Sequence, residues 1–292
     1  MNPWRLIRPV APENDLDGQV ALVTGGGDGI GRETAHAFAA RGASVAVVDL
    51  DPAAATKVAA EIGEHRALGI AADVRDPEAL RAAVGEVLRR WDRLDVAVAN
   101  AGVTPVPATV RMGDPADFER VVSVNLFGVL NTAQAVVEPL VQRRGHLVVV
   151  ASAAAFCPPV GGAAYMVSKA AVEQLGRALR LELAPYGVTA TVAYFGVVDT
   201  RLARATLDDD PLGAALDAML PRPLRRRISA RTAAEVIVSA VENRSAHSMA
   251  PAAWEPLSWF RGIVNPVLDR VLVRDSRLHA LIRELEDRLL AG

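Results

Sequence analysis

The stretch "VALVTGGGDGIGRE", residues 20–33, decides how the rest of the chain is read. A short Val-rich run ends in a glycine-rich turn, and the turn opens into a helical pattern over 30–41. The run reads as a buried strand. Gly25, Gly29 and Gly31, with Ile30 between the last two, allow a tight turn and close backbone approach. At a helix N-terminus such a turn offers N–H donors and a favourable dipole to a pyrophosphate. The spacing is Gly-xxx-Gly-x-Gly rather than the commoner Gly-x-Gly-xx-Gly, so the loop alone is equally a plain strand-to-helix turn.

The same alternation continues outward. Short runs rich in Val and Ala at 43–50, 67–74, 94–102, 145–152 and 188–196 end near Gly, Asp, Asn or Ser. Helix-like stretches lie between them at 52–63, 77–91, 117–142 and 162–184. Near-continuous apolar strands alternating with helices predict an α/β, doubly wound parallel sheet covered on both faces. In such sheets ligands sit at the carboxyl ends of the strands. A helix is expected at 231–243. Residues 200–228 show no clear strand and several breakers, and are expected to form a substrate-facing flap. The domain plan is an N-terminal arm (1–17), one catalytic domain (18–253) and a helical C-terminal extension (254–292).

Bulk properties narrow the function. Hydrophobic residues make up 51% of the 292, enough for a large core. The net charge of −2 carries no footprint for nucleic acid. The single cysteine, Cys157, rules out an internal disulfide framework and fits a reducing compartment, so a cytoplasmic location is expected. No signal-like apolar run precedes the first strand, and no segment reads as the roughly 20 apolar residues of a membrane span. The five histidines lack metal-ligand spacing, and no metal is expected.

Acids at strand ends suggest a nucleotide. Asp49 ends the second strand 18 residues beyond Gly31, where a carboxylate can accept hydrogen bonds from ribose hydroxyls. Asp51 and Pro52 already serve as cap and first residue of the next helix, which leaves Asp49 free for a ligand. Its charge disfavours a 2′-phosphate, so NAD is expected over NADP. Leu50 follows it. Asp73 and Val74 end the third strand; Asp73 could receive an adenine amino group, with Asp76 the better cap for the helix from Pro77. Asn100, Ala101 and Gly102 end the fourth strand and leave room beside a cofactor.

Chemistry enters at "AAYMVSKAAVEQL", residues 163–175. Tyr165 and Lys169 stand at i and i+4, neighbours on one helical stripe. A phenol with a pKa of about 10 is a poor base, and an adjacent ammonium favours its ionised form. Ser152 lies 13 residues before Tyr165 at a strand end, where its hydroxyl can hold a substrate oxygen.

These motifs, "TGGGDGIG", "NAG", Asn125 in "VVSVNLFG", Ser152 and "YMVSK", resemble the classical short-chain dehydrogenase/reductase family in order and spacing, over roughly residues 18–243. The resemblance implies a single Rossmann-type domain, a nicotinamide cofactor, and hydride transfer between an alcohol and a ketone. It implies that Tyr165 is the acid/base, that Lys169 tunes it and bonds the nicotinamide ribose, and that Asn125 completes a proton relay through water. Val198 and Thr200 would contact the nicotinamide carboxamide. The family proline after the sixth strand is replaced by Phe195, read here as a wall of the substrate site together with Phe156. The apolar segment 153–162 favours a hydrophobic alcohol or ketone, of steroid, terpenoid, polyketide or fatty type. A non-catalytic NAD(H)-binding sensor or scaffold and a membrane-peripheral lipid-alcohol reductase are the alternatives. A homodimer or homotetramer is expected.

The tail repeats apolar residues at helical spacing: Phe260, Ile263, Val264, Val267, Leu268, Val271 and Leu272, then Leu278, Leu281, Ile282, Leu285 and Leu289 after the break "RDS". Pro266 sits where the first helix could start or kink. Two helices packing an apolar face on the domain or on another subunit are expected, in preference to a membrane contact.

Overall fold

The computed structural model describes residues 14–156, 160–209 and 211–291. Most of the N-terminal arm (1–13) and Cys157 lie outside the described residues. Seven parallel strands form the central sheet in the order β3-β2-β1-β4-β5-β6-β9. They are β1 (Val20–Thr24), β2 (Ser44–Asp49), β3 (Ala67–Ala71), β4 (Val96–Ala99), β5 (His146–Val150), β6 (Thr189–Phe195) and β9 (His247–Ala250). Six were expected. The seventh, "HSMA", has no β-branched run and lies at the sheet edge, so the sequence pattern does not mark it.

Strand alternation sorts the core. Leu22, Val48, Ala97, Val149 and Tyr194 face one buried cluster, and Val23, Val47, Val98, Val150 and Phe195 face the other. The first cluster is closed by α3 (Pro77–Trp91), α5 (Gly128–Arg143) and α6 (Ala163–Leu183). The second is closed by α1 (Gly29–Ala40), α2 (Pro52–Ile62) and α9 (Ala230–Glu242). With both faces covered, the strands can be apolar throughout. Asp51, Asp76 and Asp114 each cap a helix whose first residue is proline, namely α2, α3 and α4 (Pro115–Val122).

The helix expected over 117–142 is three pieces, α4, a π-helical turn at Ser123–Phe127, and α5. By length and composition the run Pro115–Arg143 is long and apolar enough to cross a membrane, contrary to the sequence reading. Here its buried Val129, Ala133, Val136 and Leu140 pack in the first cluster.

The region after residue 200 is more ordered than a breaker-rich sequence suggested. It holds α7 (Arg201–Leu207) and α8 (Pro211–Met219), framed by a two-stranded ladder of β7 (Val198–Asp199) and β8 (Ile228–Ser229). Arg227, the last residue of the basic stretch "RPLRRR" (222–227), pairs with Asp208. The extension forms two helices, α10 (Glu255–Leu272) and α11 (Ser276–Ala291), and α10 continues through Pro266.

Candidate active site

The glycine turn is a cradle built by close approach. Gly25 has φ +62°, in the left-handed region, and a Cβ on Gly31 would overlap the Gly25 carbonyl. Asn100 ties this turn to β4: its side-chain amide donates to the carbonyls of Thr24 (3.0 Å) and Gly25 (3.1 Å). Thr24, 1% exposed, accepts from the backbone N–H of Asn100 and of Ala101. Asp28 caps α1, and the N–H groups of Ile30 and Gly31 in its first turn have no intrahelical acceptor, as at any helix start. Thr200, which caps α7, lies opposite: a Cβ on Gly29 would stand 3.3 Å from its methyl group. The residues present therefore fit a dinucleotide, with its pyrophosphate over the first turn of α1.

Two more strand ends converge beside this cradle. Lys169 is 4% exposed, and its Nζ donates to the Val150 carbonyl at 2.8 Å. The same Nζ lies 5.7 Å from the centroid of the Tyr165 ring. Gly102 separates Lys169 from Asn125, because a Cβ there would stand 3.5 Å from Nζ and 3.3 Å from the Asn125 Oδ1. Ser152 Oγ donates to the Phe195 carbonyl at a long 3.3 Å and accepts from Ala154 N–H. Asn125 is fully buried within the π-helical turn; its amide brackets Val103 (2.8 and 3.0 Å) and donates to Ser168 Oγ.

The electrostatics differ from the simple expectation for a phenol beside an ammonium. Burial pushes the Tyr165 phenol up, and a hydrogen bond with Ser152 offsets this only in part. Burial pulls Lys169 down from 10.5 to about 8. Desolvation is the leading effect on both groups, and for Tyr165 it favours the protonated phenol.

Several expected ligand residues are already engaged. Asp49 is not free: Oδ2 accepts from Gly27 N–H (2.8 Å) and Oδ1 from Asp51 N–H (3.0 Å). A carboxylate has about four acceptor sites, so these bonds brace the glycine turn and leave lone pairs for a ribose. Leu50 beside it is 67% exposed. Asp73 is held by Arg75 through both carboxylate oxygens, which keeps its pKa low, while Asp76 caps α3 as expected. Val74 packs against Gly128, and its carbonyl accepts from Asn131.

Phe195 does not wall the substrate side. It is 3% exposed and belongs to the cluster under α1 and α9, because the two-residue period of β6 turns Tyr194 towards Phe156 instead. Phe156 is itself buried, its ring 5.8 Å from Tyr194 and 6.4 Å from Trp254.

The family model described as short chain dehydrogenase matches residues 19–211. This chain belongs to the short-chain dehydrogenase/reductase family. It is 40% identical over 227 residues to a cyclohexanol dehydrogenase of Rhodococcus sp., covering 68% of this chain and 84% of that protein. It is also 34% identical over 281 residues to the probable oxidoreductase EphD of Mycobacterium tuberculosis, covering 92% of this chain. The chain spans about half, 46%, of the length of that relative. Among solved structures, a 3-ketoacyl-(acyl-carrier-protein) reductase from Brucella melitensis complexed with NADH superposes with a TM-score of 0.70 at 29% identity, covering 80% of this chain and 96% of the other.

On this short-chain dehydrogenase scaffold the C-terminal extension forms the two helices expected, and α10 reaches the helix that carries Tyr165 and Lys169 through a contact the sequence reading did not name. Glu173, 3% exposed, lies one turn beyond Lys169 on α6 and receives both terminal nitrogens of Arg261 from α10, at 2.5 and 2.8 Å. The Arg261 guanidinium also lies 5.7 Å from the Phe156 ring centroid, and Asn265 donates to the Phe156 carbonyl. The spacing Tyr165, Lys169, Glu173 was a visible signal, since a third polar residue on a buried stripe needs a partner. Trp254 is 4% exposed and packs in the core, just past the expected boundary at 253.

Proposed function

We propose that this short-chain dehydrogenase transfers a hydride between NAD(H) and a hydrophobic secondary alcohol or ketone, with Tyr165 as acid/base. The observation that carries this reading is the convergence of Ser152, Tyr165 and buried Lys169 beside the glycine cradle. A nicotinamide, when bound, gives or takes the hydride. In ketone reduction the protonated Tyr165 phenol gives its proton to the carbonyl oxygen as that oxygen becomes a hydroxyl; in alcohol oxidation the phenolate takes it. Ser152 can exchange its long bond to the Phe195 carbonyl for one to the substrate oxygen. Lys169 stays mostly charged below about 8 and favours phenolate when the proton leaves. Asn125 holds the Val103 turn beside Lys169, the position from which a water-borne relay would run.

Asp49 supports NAD over NADP, since its carboxylate stands at the end of β2 beside the glycine turn. The NADH complex of the Brucella structure is consistent with this. A hydrophobic substrate is supported by residues 152–165, which carry no charged side chain, and by the relative named for cyclohexanol.

The test is a panel of cyclic and aliphatic ketones with NADH and NADPH in parallel, followed at the nicotinamide absorbance band. Tyr165→Phe should still bind NADH yet lose at least about 100-fold in turnover, the lower end of what general acid–base catalysis supplies. Near-normal turnover in the folded variant would remove the phenol from the mechanism. Higher kcat/KM with NADPH would overturn the reading of Asp49, and turnover confined to sugars or polar acids that of the substrate.

A further inference from the structure

Helix α10 faces two ways. Val264, Leu268 and Leu272 lie half-buried on the side that carries Arg261 and Asn265. The opposite side, turned to solvent, is also apolar: Trp259 (67% exposed), Phe260 (56%), Ile263 (73%), Val267 (57%) and Val271 (58%). The apolar repeat read in the sequence is therefore two stripes, and only one packs on the domain. Arg270 lies within the outer stripe and Arg274 at its end, both exposed and without a side-chain partner among the described residues. Glu255 and Asp269 lie only at its margins.

We propose that this outer face of α10 is a docking surface for an anionic lipid bilayer. An amphipathic helix of this kind lies in the interface plane, its aromatic and aliphatic side chains among the acyl chains and its arginines at the lipid phosphates. The orientation is physically permitted because the inner side anchors the helix to the fold through the buried Glu173–Arg261 pair. A second copy of the chain fits less well. In a copy laid on the same stripe the acidic side chains of the helix face, Glu255 and Asp269, lie only at the margins, so Arg270 would be taken from water with no carboxylate within the stripe to receive it, a costly arrangement. The long run Pro115–Arg143 is a poorer candidate, since Val129, Ala133, Val136 and Leu140 are held in the core and only Phe118 and Phe127 of its large apolar side chains are exposed.

The surface does not depend on the proposed reaction, and its test reads binding alone. The full chain is sedimented with vesicles of phosphatidylcholine, with or without phosphatidylglycerol. It should pellet with the mixed vesicles, and less with phosphatidylcholine alone. Ile263→Glu should abolish pelleting while the melting temperature is kept, because that side chain touches solvent in the fold. The double variant Arg270→Glu/Arg274→Glu should weaken binding by roughly 30-fold or more, as for the loss of two surface arginines, and added salt should act in the same direction. A chain that stays in the supernatant with both vesicle types overturns the proposal, as does full binding by Ile263→Glu. A concentration-dependent dimer that Ile263→Glu disrupts would make a second copy the occupant instead.

Discussion

Lys169 holds a charge in a place almost closed to water, and the residues around it show how the fold tolerates this. One N–H bond goes to the Val150 carbonyl, and the absent side chain of Gly102 keeps the remaining side open towards Asn125. The i, i+4 relation of Tyr165 and Lys169 was legible because it is local to one helix. Its electrostatic consequence was not, because burial belongs to the whole fold and here lowers Lys169 while raising Tyr165. Asp49 shows the same limit. Its position was legible, but its two backbone partners were not, and they change what a substitution does. Asp49→Asn removes the charge and retains one acceptor for the turn. It should narrow the ratio of kcat/KM for NADH over NADPH by about tenfold, equivalent to about 1.4 kcal/mol of relieved repulsion. Asp49→Ala should narrow it too, and in addition raise KM for both cofactors because the Gly27 N–H loses its acceptor. A ratio unchanged in both variants would show that the carboxylate does not face the ribose.

Elements that repeat a local rule were readable, and elements set by distant partners were not. Asp-Pro starts marked α2 and α3, and Val-rich runs marked six strands. The π-helical turn interrupts a uniform apolar pattern, and β9 joins the sheet only because α9 delivers it to the edge beside β6. Strand β5 carries a polar device of its own. His146 is fully buried between Thr189 (2.6 Å) and Thr191 (2.8 Å). Burial, with Arg244 and Arg180 nearby, pulls it from 6.5 to about 3. Between those values the unfolded chain binds a proton that the folded chain refuses. Stability is therefore untouched by this group above 6.5 and is lost as pH falls towards 3, at about 1.4 kcal/mol per pH unit. Between pH 6.5 and 5 the cofactor-free protein should lose roughly 2 kcal/mol from His146 alone, read by urea unfolding. His146→Gln, less stable at pH 7, should lose correspondingly less over that range; an identical slope would assign the acid sensitivity elsewhere. The clamp between α6 and α10 makes a second prediction at this scale. Arg261→Ala leaves Glu173 buried without its partner and should cost about 3 kcal/mol, whereas Glu173→Leu/Arg261→Met should recover most of it. KM for a bulky ketone should rise in Arg261→Ala, because Phe156, four residues after Ser152, loses the guanidinium beside its ring.

At the scale of the molecule, the extension packs against segments that flank the candidate site rather than trailing from the domain. Leu278 and Leu285 of α11 are buried, Leu285 beside Gly161, and Glu286 accepts from Thr109 and pairs with Arg111. Helix α11 thus spans from the 108–111 loop to Gly161, on the approach to Tyr165, and α10 fixes Phe156 from the other side. Removing both helices should expose the Glu173 carboxylate and the apolar surface around Phe156 together. The cut must fall after Trp254, since that ring packs on Phe156 and its loss would damage the core independently. A chain ending at Trp254 should melt roughly 10 °C or more below the full chain, as expected when a buried pair and two buried leucines are lost. Its KM for bulky ketones should rise several-fold while KM for NADH changes little, because the contacts of the two helices described above fall on Glu173, Phe156, Gly161 and the 108–111 loop rather than on the glycine cradle or Asp49. Unchanged melting and unchanged KM for bulky ketones in that variant would mean that the two helices rest on the domain without shaping its substrate side.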